Sequence, residues 1–115
     1  MNYFDFQKLE VYQRSLEFLT LVRKTQKLLP RGTSNLSDQL DRASTSITLN
    51  IAEGAGEYVS KEKARFYRIA KRSATECASV FEILMKLELI ENDILGRDFL
   101  IEIVSMLTRM IRNQL

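Results

Sequence analysis

Apolar residues recur at steps of three and four along most of the chain, which is the spacing that gathers side chains on one face of an α-helix. The single proline and the four glycines interrupt this pattern and divide the chain into four segments. We therefore predict four helices, over about residues 7–29, about 36–54, about 61–90, and from Leu100 to the C-terminus.

Each predicted helix carries one apolar stripe. The first stripe comprises Leu9, Tyr12, Leu16, Leu19 and Val22. The second comprises Leu36, Leu40, Ala43, Ile47 and Ile51. The third alternates steps of four and three, as in a coiled coil, through Phe66, Ala70, Ser73, Cys77, Val80, Leu84 and Leu87. The fourth comprises Leu100, Val104, Leu107 and Ile111. Helices with one buried face and short connections predict an all-α fold, an antiparallel up-and-down four-helix bundle, as a single domain over residues 1–115.

Helix-terminal residues support the same boundaries. Thr33, Ser34 or Asn35 is expected to cap the start of the second helix, and Ser60 the start of the third. Gly54 is expected to end the second helix in a left-handed conformation, because glycine has no Cβ atom to clash there.

A line of polar residues runs beside the second apolar stripe, and we call it the polar flank. If the second and third helices fold back on each other, Glu53 falls near Lys61 and Arg65, and Arg42 falls near Ser73 and Glu76. We interpret the polar flank as a hydrogen-bonded layer that fixes helix register. A ligand pocket or an acid/base pair at Glu53 or Glu76 is the alternative interpretation. The members of the polar flank are Gln39, Arg42, Ser46, Asn50, Glu53, Ser73 and Glu76.

Another face of the second helix carries small residues and one leucine, which are predicted to point away from the bundle's own core. Small residues allow another helix to approach closely, and an outward leucine gains free energy from a partner. This face is a candidate subunit interface, and a merely tolerant surface is the alternative. Its residues are Thr45, Thr48, Leu49 and Ala52.

Four basic residues on the third helix lie roughly opposite its apolar stripe, and we call them the basic stripe. A solvated surface is one interpretation, and contact with nucleic-acid phosphates is the other. In the second case the aromatic residues Tyr58, Tyr67, Tyr3, Phe4 and Phe6 are available to stack on bases. The basic stripe comprises Lys61, Arg65, Arg68 and Arg72.

Composition narrows the possible functions. The chain of 115 residues has a net charge of +2, too small to argue for nucleic-acid binding without a local cluster. It contains no histidine, which excludes Ser-His-Asp and Cys-His nucleophiles and the Glu-x-x-His ligands of di-iron bundles. We expect no cofactor, no metal and no small-molecule substrate. The single cysteine, Cys77, the lack of a signal-peptide pattern and the lack of a membrane segment predict a cytoplasmic protein.

Three segments carry a resemblance to a known family, namely "FQKLEVYQRSLEFLTLVRKTQKLLP", "LSDQLDRASTSITLNIAEGAGE" and "SKEKARFYRIAKRSATECASVFEIL". Over roughly residues 4–88 the chain resembles the four-helix bundle protein family, also called intervening-sequence proteins after the insertions in ribosomal RNA genes that encode some of them. The matching positions in the first two helices are Leu9, Tyr12, Gln39, Leu40, Arg42, Ala43, Ser46, Ile47, Asn50, Ile51, Ala52, Glu53 and Gly54. Those in the third helix are Phe66, Ala70, Ser73 and Glu76.

The resemblance implies a left-handed bundle without established enzymatic activity that assembles into a homo-oligomer, in known relatives a ring of five. A similar fold serves as the accessory subunit of retroelement reverse transcriptases, where a basic barrel is held to contact nucleic acid. Our hypothesis is a non-enzymatic scaffold or adaptor whose partner is a second copy of itself. The alternative is an RNA- or DNA-binding module that uses the basic stripe, with its charge summed over the ring.

Overall fold

The computed structural model describes residues 4–92 and 94–114. Within them a short 3₁₀ helix (Asp5–Lys8) precedes four α-helices, and no strand occurs. The α-helices are α1 (Glu10–Leu28), α2 (Ser34–Ala55), α3 (Ser60–Lys86) and α4 (Ile94–Asn113). The predicted all-α fold is therefore confirmed, and the boundaries of α1, α2 and α3 lie within about four residues of those expected. The predicted start of the fourth helix is wrong, because α4 begins at Ile94 rather than Leu100 and includes the buried Gly96, which was expected to interrupt the pattern.

The four helices form a closed bundle that measures 44 × 30 × 22 Å. Each helix packs against the next one in sequence, α4 also packs against α1, and the contact between α2 and α3 is the most extensive. The helices α2 and α3 are antiparallel. Gln39 in the first half of α2 contacts Glu76, whereas Ser46, farther along α2, contacts Ser73, which comes earlier in α3. This is the predicted antiparallel up-and-down arrangement.

All four helices contribute to the core. Phe18 of α1 lies against Phe81 of α3 and Phe99 of α4, with ring centroids 6.0 and 6.4 Å apart. The predicted stripe of α2 is buried as expected, apart from the partly buried Leu36. Its side chains therefore supply much of the apolar area that the bundle removes from water.

The buried face of α1 differs from the predicted stripe by about one residue. Leu16 is 37 % exposed, whereas Ser15 and Thr25 are almost fully buried. Their hydroxyls donate to the backbone oxygens of Tyr12 and Leu21, so burial leaves neither hydroxyl without an acceptor. An apolar periodicity cannot detect a core position that is filled by a self-satisfied hydroxyl.

The predicted seam of α3 is confirmed at Ala70, Cys77, Val80 and Leu84 and wrong at three other positions. Tyr67 and Ala74 are buried in place of the predicted Phe66 and Ser73. Leu87, which follows the last helical residue, is 58 % exposed. A straight helix of 3.6 residues per turn drifts relative to a strict 3.5-residue repeat, so one seam cannot remain buried over the whole length of α3.

Two of the predicted helix caps are wrong. Gly54 lies inside α2 and is buried, and the helix ends at Gly56, whose φ of −83° is right-handed. Among the described glycines the positive φ belongs to Gly32, at 92° in the turn before α2. Ser60 is the first residue of α3, and the cap position is taken by Val59 without a side-chain hydrogen bond.

Thr33 holds the predicted cap position of α2, but its hydroxyl donates to the backbone oxygen of Pro30 rather than accepting from the helix. At the end of α3, Glu88 has a φ of 58°. The Glu88 amide donates to Met85 and the Leu89 amide donates to Leu84, a Schellman motif with glutamate at the position that glycine usually occupies. None of the described helices combines the length and apolar content that a membrane crossing needs.

Candidate functional site

The polar flank is a connected cluster only at its centre. Ser73 of α3 donates a hydrogen bond to the hydroxyl of Ser46 at 2.9 Å. The Nδ2 atom of Asn50 donates to the same hydroxyl at 3.0 Å and to the backbone oxygen of Ser46 at 2.8 Å. All three residues are partly buried, so their hydrogen bonds tie α2 to α3 at a fixed level of the bundle.

The ends of the polar flank are exposed. Gln39 donates to Glu76 across the surface over 3.4 Å, a long contact. Arg42 and Glu53 are also exposed and form no side-chain hydrogen bond or ion pair with the residues that the structure describes. The expected charge pairs are therefore not formed. Arg65 pairs with Glu62 rather than Glu53. Glu76 accepts from Gln39 rather than from Arg42.

Lys63 occupies the place where those ion pairs were expected. Its ammonium group donates to the backbone oxygens of Gly54 and Ala55, at 3.0 Å each. These are among the last carbonyls of α2, which have no partner within the helix and carry the negative end of its dipole. Lys63 therefore caps α2 from the following helix.

The candidate subunit interface on α2 is partly misplaced. Leu49 is 64 % exposed, and Thr45 and Ala52 beside it are at least partly accessible, as expected for an outward face. Thr48 is instead buried and donates to the hydroxyl of Ser15 at 3.0 Å. The prediction for Thr48 is wrong because α1 packs on this side of α2. The remaining face comprises Thr45, Leu49 and Ala52, and we call it the α2 face.

The four residues of the basic stripe are all exposed along α3. Arg65 donates to Glu62 at 3.1 Å, and its guanidinium carbon lies 4.4 Å from the centre of the Phe66 ring. The other three, Lys61, Arg68 and Arg72, form no ion pair with the described residues. Their positive charge is available to an anionic partner.

Aromatic residues proposed for stacking differ widely in exposure. Tyr67 is 3 % exposed in the core and cannot reach a base, which corrects that prediction. Tyr58, in the loop before α3, is 99 % exposed, and Phe4 is 62 % exposed with its ring stacked on Phe6 at 5.5 Å. Tyr3 lies outside the described residues.

Phe4, Phe6 and Tyr58 line a cavity of about 580 Å³ at the end of the bundle, where α2 ends and α3 begins. Asp5, Glu57 and Lys63 also contribute to its wall, and we call it the end cavity. It combines aromatic surface with charged side chains.

A second concave surface runs between α3 and α4 and has a volume of about 390 Å³. We call it the α3–α4 groove. Most of its lining is apolar, and Glu82 and Arg97 are its charged residues. Ile101 on its wall is 57 % exposed. Apolar residues that line it include Ala74, Ala78, Phe81, Leu100, Ile101 and Val104.

The described residues contain no cluster of potential ligands that could hold a metal ion. Burial, together with the nearby Glu76 carboxylate, raises the pKa of the Cys77 thiol to about 12. At neutral pH this side chain is therefore a protonated, buried thiol, which is neither a nucleophile nor a metal ligand.

The sequence analysis missed three features: the Lys63 cap, the Ser15–Thr48 pair and the α3–α4 groove. A signal existed for the first, because Lys63 lies in the first turn of α3, seven residues after Gly56 at the end of α2, and a lysine near a helix C-terminus can bond its last carbonyls. The other two depend on how neighbouring helices pack, which a single apolar stripe does not specify.

Comparison with known proteins identifies the family. The family model for the 23S rRNA-intervening sequence protein matches residues 7–113, nearly the whole chain. A search of curated proteins found no match. The matched region spans all four helices of the bundle. The chain therefore belongs to the 23S rRNA-intervening sequence protein family.

Proposed function

We propose that this family member is a non-enzymatic cytoplasmic scaffold or adaptor that works as a homo-oligomer, in a ring of five as the resemblance implies. The observation that carries the proposal is the presence of two accessible apolar surfaces on different sides of the bundle. One is the α2 face, centred on Leu49, and the other is the α3–α4 groove, bordered by Ile101.

A closed ring forms when one face of each subunit binds a different face of its neighbour. The α2 face presents one exposed leucine between small residues, and the α3–α4 groove is concave and mostly apolar. Burying Leu49 in such a groove removes apolar surface from water on both sides of the contact. The pair of surfaces therefore supports a head-to-tail assembly.

Light scattering after size exclusion tests this proposal. We expect a species near five times the 13.4 kDa mass of one chain. Leu49→Arg should shift the protein toward the monomer, because a charged side chain would be buried in the contact. Leu28→Arg is the matched control, since Leu28 is 73 % exposed at the far end of α1 and outside both surfaces. A monomeric wild-type protein would refute the proposal.

Binding of RNA or DNA through the basic stripe is the second candidate function. It is favoured by the exposure of all four cations and by the absence of ion pairs with described residues at three of them. A net charge of +2 on each chain adds to roughly +10 over a ring of five, which attracts phosphates more strongly than a single chain does.

Filter binding with mixed RNA at two salt concentrations tests this candidate. Affinity should fall steeply between about 50 and about 200 mM salt, because phosphate contacts release counterions. Reversing the charges of Lys61, Arg65, Arg68 and Arg72 should abolish binding. Reversal of four exposed basic residues elsewhere is the control, namely Lys24, Lys27, Arg31 and Arg109. Equal losses in the two reversed proteins would exclude a specific role for the basic stripe.

A further inference from the structure

The end cavity lies next to the first residue of the basic stripe. Tyr58 lines the cavity, and Lys61 follows three residues later. The Cα atoms of these two residues can be at most about 11 Å apart. From Lys61 the stripe continues along the outer side of α3 to Arg72, a distance of about 16 Å at 1.5 Å per residue. The exposed ring of Tyr58 therefore lies close to the start of the basic stripe, although Lys63 in the cavity wall faces α2 and the basic stripe faces outward.

This arrangement matches the two needs of a single strand of nucleic acid. Its backbone requires a row of cations, and its unstacked bases require aromatic rings. Both faces of Tyr58 are open, since the side chain is 99 % exposed. Phe4, which also lines the cavity, is 62 % exposed and has one face stacked on Phe6. A duplex keeps its bases stacked inside, so it can use the basic stripe but not these rings.

The carboxylates of the end cavity indicate which bases fit. Asp5 and Glu57 lie in the cavity wall and form no ion pair with the described residues. The ammonium group of Lys63 in the same wall donates to the backbone oxygens of Gly54 and Ala55. A carboxylate accepts a hydrogen bond from the amino group of cytosine and repels a phosphate. The cavity therefore suits an amino-bearing base more than thymine or uracil, while the phosphates follow α3.

We infer that the protein binds single-stranded nucleic acid, with the backbone along the basic stripe and one amino-bearing base between Phe4 and Tyr58 in the end cavity. This inference rests on the second candidate function proposed above and assigns the form of nucleic acid that the basic stripe receives. Duplexes attract cations more strongly through their higher charge density, so a preference for single strands must come from stacking.

Fluorescence anisotropy with three labelled probes tests the inference: oligo(dC) and oligo(dT) of about 12 nucleotides, and a duplex of the same length. We expect oligo(dC) to bind more tightly than oligo(dT), and both to bind more tightly than the duplex. Tyr58→Ala and Phe4→Ala should each weaken oligo(dC) binding about tenfold and leave duplex binding unchanged. Tyr58→Phe should retain the affinity, because the ring remains.

Leu28→Ala is the matched control, since it removes an exposed apolar side chain at the other end of the bundle. Unchanged oligo(dC) affinity in both alanine variants, or duplex binding as tight as single-strand binding, would overturn the inference and leave the basic stripe as a nucleic-acid contact. Equal binding of oligo(dC) and oligo(dT) would overturn the assignment of the base. No binding of any probe would overturn this inference together with the second candidate function.

Discussion

Gly54 of α2 lies directly against the ring of Tyr67 of α3. A Cβ atom on Gly54 would stand 2.5 Å from Cε1 and 2.8 Å from Cδ1 of that tyrosine, closer than carbon atoms pack. Both residues are buried, so neither can move into solvent to relieve the clash. The missing side chain at position 54 thus sets how closely the two helices approach at this end of the bundle.

Gly54→Ala should therefore destabilise the fold by about 1 to 3 kcal/mol, the usual range for overpacking a core. A loss of stability would identify the clash as the cause, because alanine in a helix interior is otherwise favoured over glycine by about 1 kcal/mol. Urea unfolding followed by circular dichroism measures the difference. Gly56→Ala is the control: its Cβ would be 3.7 Å from the nearest atom, and we expect no loss of stability. Equal effects of the two substitutions would argue against the tyrosine contact.

The buried pair Ser15 and Thr48 should behave as one unit. Thr48→Val removes a donor and should cost about 1 kcal/mol, and Ser15→Ala leaves the Thr48 hydroxyl without its acceptor and should cost about 1 to 3 kcal/mol. The double variant should be less destabilised than the sum of the two, because no polar group is left unpaired. A double-mutant cycle on unfolding free energies measures this coupling, and strict additivity would contradict it.

Glu88→Gly should stabilise the protein by about 1 kcal/mol. Glu88 has a φ of 58°, a left-handed conformation that costs a residue with a Cβ atom about 1 to 2 kcal/mol and glycine little. Part of this gain is offset by the greater freedom of glycine in the unfolded chain. Glu88→Ala removes the same carboxylate without relieving the backbone. If it raised the melting temperature as much as glycine does, charge rather than conformation would be the cause.

Because the thiol of Cys77 is buried, the free energy of unfolding is expected to depend on pH in the alkaline range. Burial first, and the Glu76 carboxylate second, raise its pKa in the folded protein from 9.0 to about 12. Between these values the unfolded chain loses the proton and the folded protein keeps it, so the thiol's contribution, complete below pH 9.0, is lost as the pH rises toward 12. The slope is about 1.4 kcal/mol per pH unit at most.

Urea unfolding of the wild type and of Cys77→Ala over this pH range measures the effect. The two proteins share every other titratable group, so the difference between their slopes belongs to the thiol. The wild type should lose more stability than the variant as pH rises, although the variant starts lower because of the cavity left by the sulfur. Parallel pH profiles would contradict the burial of an uncharged thiol.

The sequence predicts the bundle well because its evidence is local. The stripe of α2 repeats over five positions, and Pro30, Gly32 and Gly56 fall between helices. Gly54 and Gly96 lie inside α2 and α4, where neither interrupts the helix. The rotation of each helix about its own axis, which decides which side chains face the core, is harder to predict from the sequence. Side-chain polarity predicts that Leu16 is buried and Ser15 exposed, but the structure shows the opposite. Ser15 can be buried because its hydroxyl donates to a backbone oxygen of its own helix.

The surfaces were predicted less completely than the fold. Periodicity correctly gave the exposure of the basic stripe, since residues opposite an apolar stripe face water. It misplaced Thr48, because it cannot tell which flank of α2 receives α1. The role of Gly54 is also a contact property: a glycine near a helix end suggests a cap, and only the position of Tyr67 shows that it provides space.

The hydroxyl pairs on the two sides of α2 also bear on how the bundle can move. Thr48 binds Ser15 of α1 and Ser46 binds Ser73 of α3, at nearly the same height along the helix. Sliding α2 by one turn, about 5.4 Å, would break both pairs at once, so α1, α2 and α3 are expected to move as one body. The described side chains give α4 no such buried pair, and its ion pair between Arg14 and Glu102 is at the surface. The width of the α3–α4 groove is therefore expected to be the dimension of the bundle that changes most readily.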